Sequence, residues 1–285
     1  MPTQKNLQTL RTIAELRAWS RVQRSEGRSV GLVPTMGALH NGHRSLLERA
    51  VAAGDAVVAS IFVNPTQFGP KEDFASYPRR FEADCALLRA AGAEAVFAPA
   101  VEEMYPEGAS TYVDVGALSE RLDGLTRAGH FRGVATVVSK LLIAAEPNHA
   151  YFGQKDAAQV AVLRKLVRDL GFGTELVVCP IVREADGLAL SSRNAYLSAR
   201  ERQQALVLSS AIHMVEKLVA EGQRSAKVLV AAARAAIARE PEVEAEYVTA
   251  VDWATLLPVE EAAPGTLFAV AARVGSTRLI DNTIL

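Results

Sequence analysis

The sequence predicts an α/β protein, a parallel sheet covered by helices, followed by a smaller α+β unit. Three observations carry this. Short apolar runs rich in β-branched residues recur at 29–33, 56–63, 95–98, 150–152 and 176–178, with helical stretches between them. Within each run consecutive positions are apolar, as in strands buried on both faces, and that is the pattern of a parallel sheet packed between helices. After Pro180 the rhythm changes to a charged, Gly-containing loop and then to long helices and alternating strands.

Taken in order, the first residues, MPTQKNLQTLRTIAEL, read as the start of an amphipathic helix. They lack the basic segment followed by an apolar one that marks a secretion signal. Helices are expected at 44–53 and 157–170. Ser198 and Glu201 have the Ser-x-x-Glu spacing of a capping box and open a long helix towards residue 221. A helix at 226–239 and strands at 244–251, 266–274 and 277–280 complete a small α+β unit with an antiparallel sheet. The expected division is 1–181 and 182–285.

Composition narrows the function classes. The 285 residues carry 31 Lys+Arg against 32 Asp+Glu, and 49% are hydrophobic. That balance belongs to a folded protein and lacks the positive field that would hold a nucleic acid. The longest apolar runs fall far short of the roughly 20 residues of a membrane span, so no membrane partner is expected. Cys85 and Cys179 have no CxxC spacing and no Cys/His grouping, which points to a reducing, cytoplasmic setting and to no structural zinc.

Four segments carry chemistry. Pro34 to His43, PTMGALHNGH, follows a strand and runs into a helix. His40 and His43 sit three residues apart at a helix start, where N–H groups favour anions, and can donate to phosphate oxygens as charge builds on them. The plainer reading of such a pair is a helix cap beside a surface histidine. Phe152 to Gln159, FGQKDAAQ, again joins a strand end to a helix and presents Lys155, a cation suited to a triphosphate, with Gln159 one turn on. Leu190 to Asn194, LSSRN, places two hydroxyls and a guanidinium on a segment containing Gly187, a candidate hinge and lid. Ser60 to Gly69, SIFVNPTQFG, ends a strand in amides and offers Gln67 to a small polar substrate. No GxxxxGK[ST] occurs, and Gly171-Phe172-Gly173 is half a dinucleotide fingerprint.

Together these segments resemble the pantoate–β-alanine ligase family, the pantothenate synthetases of the HxGH nucleotidylyltransferase superfamily. VPTMGALHNGH, SIFVNPTQFGP-x-EDF-x-x-YPR, GHF-x-GV-x-TVV-x-KL, YFGQKD and SSRN stand here in the family's order. Ala128, where the family usually has Pro, and Leu190, where it usually has Met, are apolar departures that leave the polar chemistry in place.

The resemblance implies a Rossmann-like catalytic domain binding ATP and pantoate, and a C-terminal α+β lid domain. It implies that pantoate's carboxylate attacks ATP to give pantoyl adenylate and pyrophosphate, and that β-alanine's amine then releases AMP. His40, His43, Lys155 and Arg193 are the implied catalytic residues, with His43 the proton donor. ATP would be held by Met36, Gly37, Ala38, Leu39, His40, Asn41, Gly42, His43, Gly153, Gln154, Lys155, Asp156, Val182, Leu190, Ser191, Ser192 and Arg193. Gln67 would meet pantoate and β-alanine, and Gln159 pantoate. Mg2+ would arrive with ATP, held by phosphate oxygens and water, with Asp84 contributing indirectly and no protein ligand assigned. A homodimer formed through the N-terminal domain is also implied. Three alternatives compete: another adenylyltransferase of the superfamily needs a second phosphate pocket, a silent nucleotide binder has no use for the histidines, and an aminoacyl-tRNA synthetase relative needs a basic surface.

Overall fold

A computed structural model of the chain describes residues 7–70, 72 and 74–285. The chain enters it through an edge strand, β1 (Gln8–Leu10), where the sequence had suggested helix. Helix α1 (Ile13–Ser25) begins at a capping box: the Thr12 hydroxyl accepts from the Glu15 N–H at 3.1 Å, and the Glu15 carboxylate accepts from the Thr12 N–H at 3.0 Å. Upstream of that cap the backbone pairs with a neighbouring strand, and Leu7 and Leu10 are buried there. The expected helix start at 1–6 lies outside the described residues.

The next elements alternate as expected. They are β2 (Val30–Thr35), α2 (Asn41–Ala52), β3 (Ala56–Ile61), α3 (Phe81–Ala90) and β4 (Ala95–Phe97). Two single-turn helices follow, α4 (Val101–Met104) and α5 (Asp123–Thr126), then α6 (His130–Ala145), β5 (His149–Gly153), α7 (Ala157–Asp169) and β6 (Glu175–Cys179). β2 runs through Pro34 to Thr35, past its expected end, and the Thr35 hydroxyl donates to the Ser60 carbonyl at 2.6 Å.

These six strands form one sheet in the order β1-β4-β3-β2-β5-β6, each neighbouring pair parallel. Val30, Leu32, Val33 and the run Ala56 to Ala59 have no exposure at all, which is why the sequence runs are apolar throughout. Leu46, Leu47 and Ala50 of α2 and Leu88 of α3 cover one face through Val33, Val57, Ala59 and Val96. Helices α1 and α6 pack against β2 from the other side. Strand order reverses between β2 and β5, and in open parallel sheets ligands gather at the carboxyl ends beside such a reversal. The carboxyl ends of β2 and β5 lead into the HxGH and GQKD segments.

Beyond Pro180, α8 (Ala199–Ala220) opens on the expected capping box, with the Ser198 hydroxyl accepting from Glu201 N–H at 3.3 Å and Glu201 accepting from Ser198 N–H at 2.8 Å. Helix α9 (Ala226–Ile237) and the antiparallel strands β7 (Val243–Asp252), β8 (Thr266–Val274) and β9 (Thr277–Ile284) follow. Their core gathers Leu208, Ile212, Leu229, Phe268 and Val270. β9 runs four residues past the expected end at 280, through Asp281 and Asn282, two polar residues that are both buried.

Contacts group the chain into two compact units. The first runs to Gly153 and resumes over Val162–Cys179; the second comprises Gln154–Ala161 and Pro180–Leu285. Among the described residues no helix is long and apolar enough to cross a membrane.

Candidate active site

In the first unit the HxGH loop is built around a buried carboxylate. Asp84 of α3, with 3% exposure, accepts from the Ala38 N–H at 3.0 Å and the Leu39 N–H at 2.8 Å. These bonds hold Ala38 at φ 52, a left-handed conformation that costs an alanine about 1 kcal/mol or more. The loop then delivers His40 as the N-cap of α2. Its Nδ1 accepts from the Gly42 N–H at 3.1 Å, and His43 Nδ1 accepts from the His40 N–H at 3.3 Å. A Cβ on Gly42 would lie 2.9 Å from His40 Cε1, so only glycine lets the imidazole fold back over the helix start. Since both Nδ1 atoms accept, each neutral ring carries its proton on Nε2. The ring centroids lie 4.2 Å apart. The plain cap reading and the catalytic one therefore hold together: the cap fixes which nitrogen donates.

The structure brings Gln67 to the same loop. Its Nε2 lies 3.1 Å from Met36 Sδ, and its Oε1 accepts from Asn64 Nδ2 at 3.0 Å. Asn64, itself buried, accepts from the Tyr105 hydroxyl at 2.8 Å and donates to the Gly133 carbonyl at 3.2 Å. A Cβ on Gly133 would lie 2.3 Å from the Thr66 carbonyl oxygen, so α6 approaches this turn only because residue 133 has no side chain.

The backbone of Gln67 is gripped as well. His130 Nδ1 donates to the Gln67 carbonyl at 2.8 Å, and its Nε2 accepts from Arg127 Nη1 at 2.8 Å. Arg127 forks onto Glu72 with two bonds of 2.7 Å. Burial, with the Arg127 charge alongside, lowers the His130 imidazole to about 4, and the Arg127 hydrogen bonds hold the Glu72 carboxyl down to about 2. His130 is thus neutral and Glu72 charged at neutral pH. Lys71 and Asp73, in the EDF segment, lie outside the described residues.

The remaining expected residues fall in the second unit, apart from Gly153 at the end of β5. Gln154, Lys155 and Asp156 form a 3-10 turn ahead of α7, with Lys155 Nζ 3.5 Å from Asp156 and Gln159 half-buried in the first turn of the helix. The 182–194 segment, expected as a loop, is a short hairpin: Arg183 bridges Ala189, Leu190 N–H donates to the Val182 carbonyl at 2.9 Å, and Gly187 at φ 94 makes the turn. Ser191 caps the 3-10 turn Ser192–Tyr196, accepting from the Arg193 N–H at 3.3 Å. Asn194, buried, ties the hairpin together through Glu184 and the Ala189 carbonyl.

Sequence reasoning gave no role to Asn64, Arg127, His130 or Glu72, and only an indirect one to Asp84. The signal lay in the GHF and EDF segments, whose polar residues have no local partner to make sense of them. Among the described residues no three His, Cys, Asp or Glu side chains gather into a group able to hold a metal ion.

A profile of the family described as Pantoate-beta-alanine ligase matches residues 8–284. The pantothenate synthetase of Koribacter versatilis is 58% identical over 279 residues, covering 98% of this chain and 96% of the relative. That of Acidobacterium capsulatum is 59% identical over 285 residues, covering 96% and 95%. A crystal structure of pantothenate synthetase from Thermus thermophilus superposes with a TM-score of 0.92 at 47% identity, covering 98% of this chain and 99% of that one. A pantoate-beta-alanine ligase from Francisella tularensis, solved with beta-gamma ATP and beta-alanine, superposes at 0.76 with 30% identity, 98% of each chain being covered.

Proposed function

The chain belongs to the pantoate–β-alanine ligase family, and from that premise we propose that it condenses pantoate with β-alanine in two steps at the expense of ATP. In the first, a pantoate carboxylate oxygen attacks the α-phosphorus, the bond to the bridging oxygen breaks, and pyrophosphate leaves with pantoyl adenylate behind. In the second, the β-alanine amine attacks the acyl carbon, loses a proton, and AMP departs as the amide forms.

The observation that carries this reading is the pair of imidazoles whose Nδ1 atoms are both engaged by backbone N–H groups at the start of α2. Their Nε2–H groups are then pre-set donors, and the helix terminus adds its own positive end. Donors fixed before charge appears need no reorganisation when it grows on the phosphates. His43 is the proton donor of this scheme and His40 its partner. Lys155 and Arg193 meet the phosphates, with Met36 to Asn41, Gly42, Gly153, Gln154, Asp156, Val182, Leu190, Ser191 and Ser192 around the nucleotide. Gln67, its side chain set by Asn64 and its carbonyl by His130, meets pantoate and then β-alanine; Gln159 meets pantoate. Mg2+ arriving with ATP would neutralise charge on the phosphates, held mostly by phosphate oxygens and water.

In this scheme residues 1–181 serve as the catalytic domain and residues 182–285 as the lid domain. The protein works as a homodimer joined through its N-terminal domain, in the cytoplasm, in keeping with Cys85 and Cys179 both buried as free thiols. The test is AMP formation by the purified chain. AMP should require ATP, pantoate and β-alanine together, and ATP with pantoate alone should release one pyrophosphate per site. AMP release without pantoate, or none with all three, removes the proposal.

A further inference from the structure

The TRLIDN stretch of β9 ends in two consecutive buried polar residues, Asp281 and Asn282, whose partners lie in the two segments assigned to the phosphates. Asp281, with 2% exposure, takes the Arg183 guanidinium in a two-bond fork of 2.6 and 2.9 Å, and Arg183 also donates to the Gly187 carbonyl at 3.1 Å. That fork anchors the hairpin carrying Val182, Leu190, Ser191, Ser192 and Arg193. Asn282, with 3% exposure, donates through Nδ2 to the Gln154 carbonyl at 3.1 Å and the Lys155 carbonyl at 2.9 Å, and its Oδ1 accepts from Gln154 Nε2 at 3.3 Å. The indole of Trp253, next to the end of β7, donates to the Ala157 carbonyl at 3.0 Å.

We infer that Asn282 is a positioning residue for Lys155, and that β9 joins Lys155 to the Arg193 hairpin as one body. The inference rests on the assignment of Lys155 and Arg193 to ATP phosphates made above. Its physical basis is the number of constraints. Three carbonyls in four residues, those of 154, 155 and 157, are fixed by side chains of β9 and of the turn after β7, so the direction in which the Lys155 side chain leaves the backbone is set by the C-terminal unit. Consecutive strand residues point to opposite faces, so one strand reaches both segments only by placing Asp on one side and Asn on the other. The amide is needed in full: both N–H groups and the oxygen are used, and a carboxylate of the same shape would set an acceptor against two carbonyls. Gln154–Ala161 belongs to the same compact unit as Pro180–Leu285.

A double-mutant cycle on the adenylation half-reaction, single-turnover pyrophosphate release against ATP concentration, tests this. Asn282→Asp should lower kcat/KM for ATP by about 10- to 100-fold, the scale for displacing a binding group by a fraction of an ångström to about one. In the complete reaction, followed by AMP formation, it should move the apparent KM for β-alanine less than about twofold, a split that general damage to the fold does not produce. In a Lys155→Ala background the same change should cost less than about twofold more, because the residue it positions has gone. A full additional fall in that background, or no loss in the parent, overturns the inference while leaving Lys155 at the phosphates. If Lys155→Ala alone adenylates normally, the assignment of Lys155 fails and takes the inference with it. Should Asn282→Asp not fold, Trp253→Phe keeps an aromatic side chain and removes the indole donor, and about a threefold loss that disappears in Lys155→Ala is the expected result; additivity there overturns it equally.

Discussion

His130 makes the stability of the first unit depend on acid in a window that can be named. Its imidazole is held at about 4 against an ordinary 6.5, by burial first and the Arg127 charge second. Above pH 6.5 the ring is neutral folded or unfolded, and its full contribution is present. Between 6.5 and 4 the unfolded chain takes up a proton that the folded chain refuses, so stability falls as pH falls, and below 4 the loss is complete. At ~1.4 kcal/mol per pH unit the loss approaches about 3 kcal/mol, with about 2 kcal/mol gone by pH 5. Protonation would also turn Nε2 from acceptor to donor facing Arg127 Nη1, now 2.8 Å away. Glu72, lowered to about 2 by its Arg127 bonds, adds a loss of the same sign further down, from 4.5 towards 2. Urea unfolding of the parent and of His130→Asn at pH 7, 6 and 5 isolates the histidine. The variant should be weaker at pH 7 but lose about 2 kcal/mol less on acidification to pH 5. Parallel pH profiles for the two proteins would refute the neutral, twice-bonded imidazole.

What the sequence revealed and what it hid divide by the distance between partners. The capping box at Ser198/Glu201 and the close pair His40/His43 lie within three residues, so spacing alone suffices to point to them, whereas the equally local box at Thr12/Glu15 emerges only with the structure. Apolar runs gave the parallel strands because both faces of each are buried. β1 was read as helix because its apolar residues fit either period and only its neighbour, β4, decides between them. β9 was cut short at 280 because Asp281 and Asn282 look like a strand end until their partners appear. Those partners are remote: Asp84 meets Leu39 across 45 residues, His130 meets Gln67 across 63, and Asn282 meets Lys155 across 127. A polar residue that braces a site from so far away leaves no periodic trace, whereas a residue carried on a local turn does.

The remaining expectations concern the site directly. His43→Ala and His40→Ala should each slow single-turnover adenylate formation by at least about 100-fold, the scale for losing one pre-set donor, and rates within a few-fold of the parent would contradict the assignment. Asp84→Asn leaves one of two loop N–H groups facing an amide N–H in place of an oxygen; an unmet buried donor costs about 1–3 kcal/mol, so adenylation should fall roughly 10- to 100-fold, and an unchanged rate would show that the loop holds its shape without the carboxylate. Lys155→Ala should chiefly damage ATP use and Gln159→Ala chiefly raise the pantoate requirement; equal effects on both substrates in both variants would undo that division. The last expectation follows from the hairpin itself. Its bonds to Asp281, Glu184 and Ala189 already order residues 182–194, so ATP with pantoate should slow amide exchange there mainly by closing the body that carries the hairpin, with the 154–157 amides slowing in step. Arg193→Ala should weaken protection at both stretches, since they share β9. Unchanged exchange over 182–194 at saturation would remove closure from the mechanism, and protection of one stretch without the other would show that β9 does not bind them into one body.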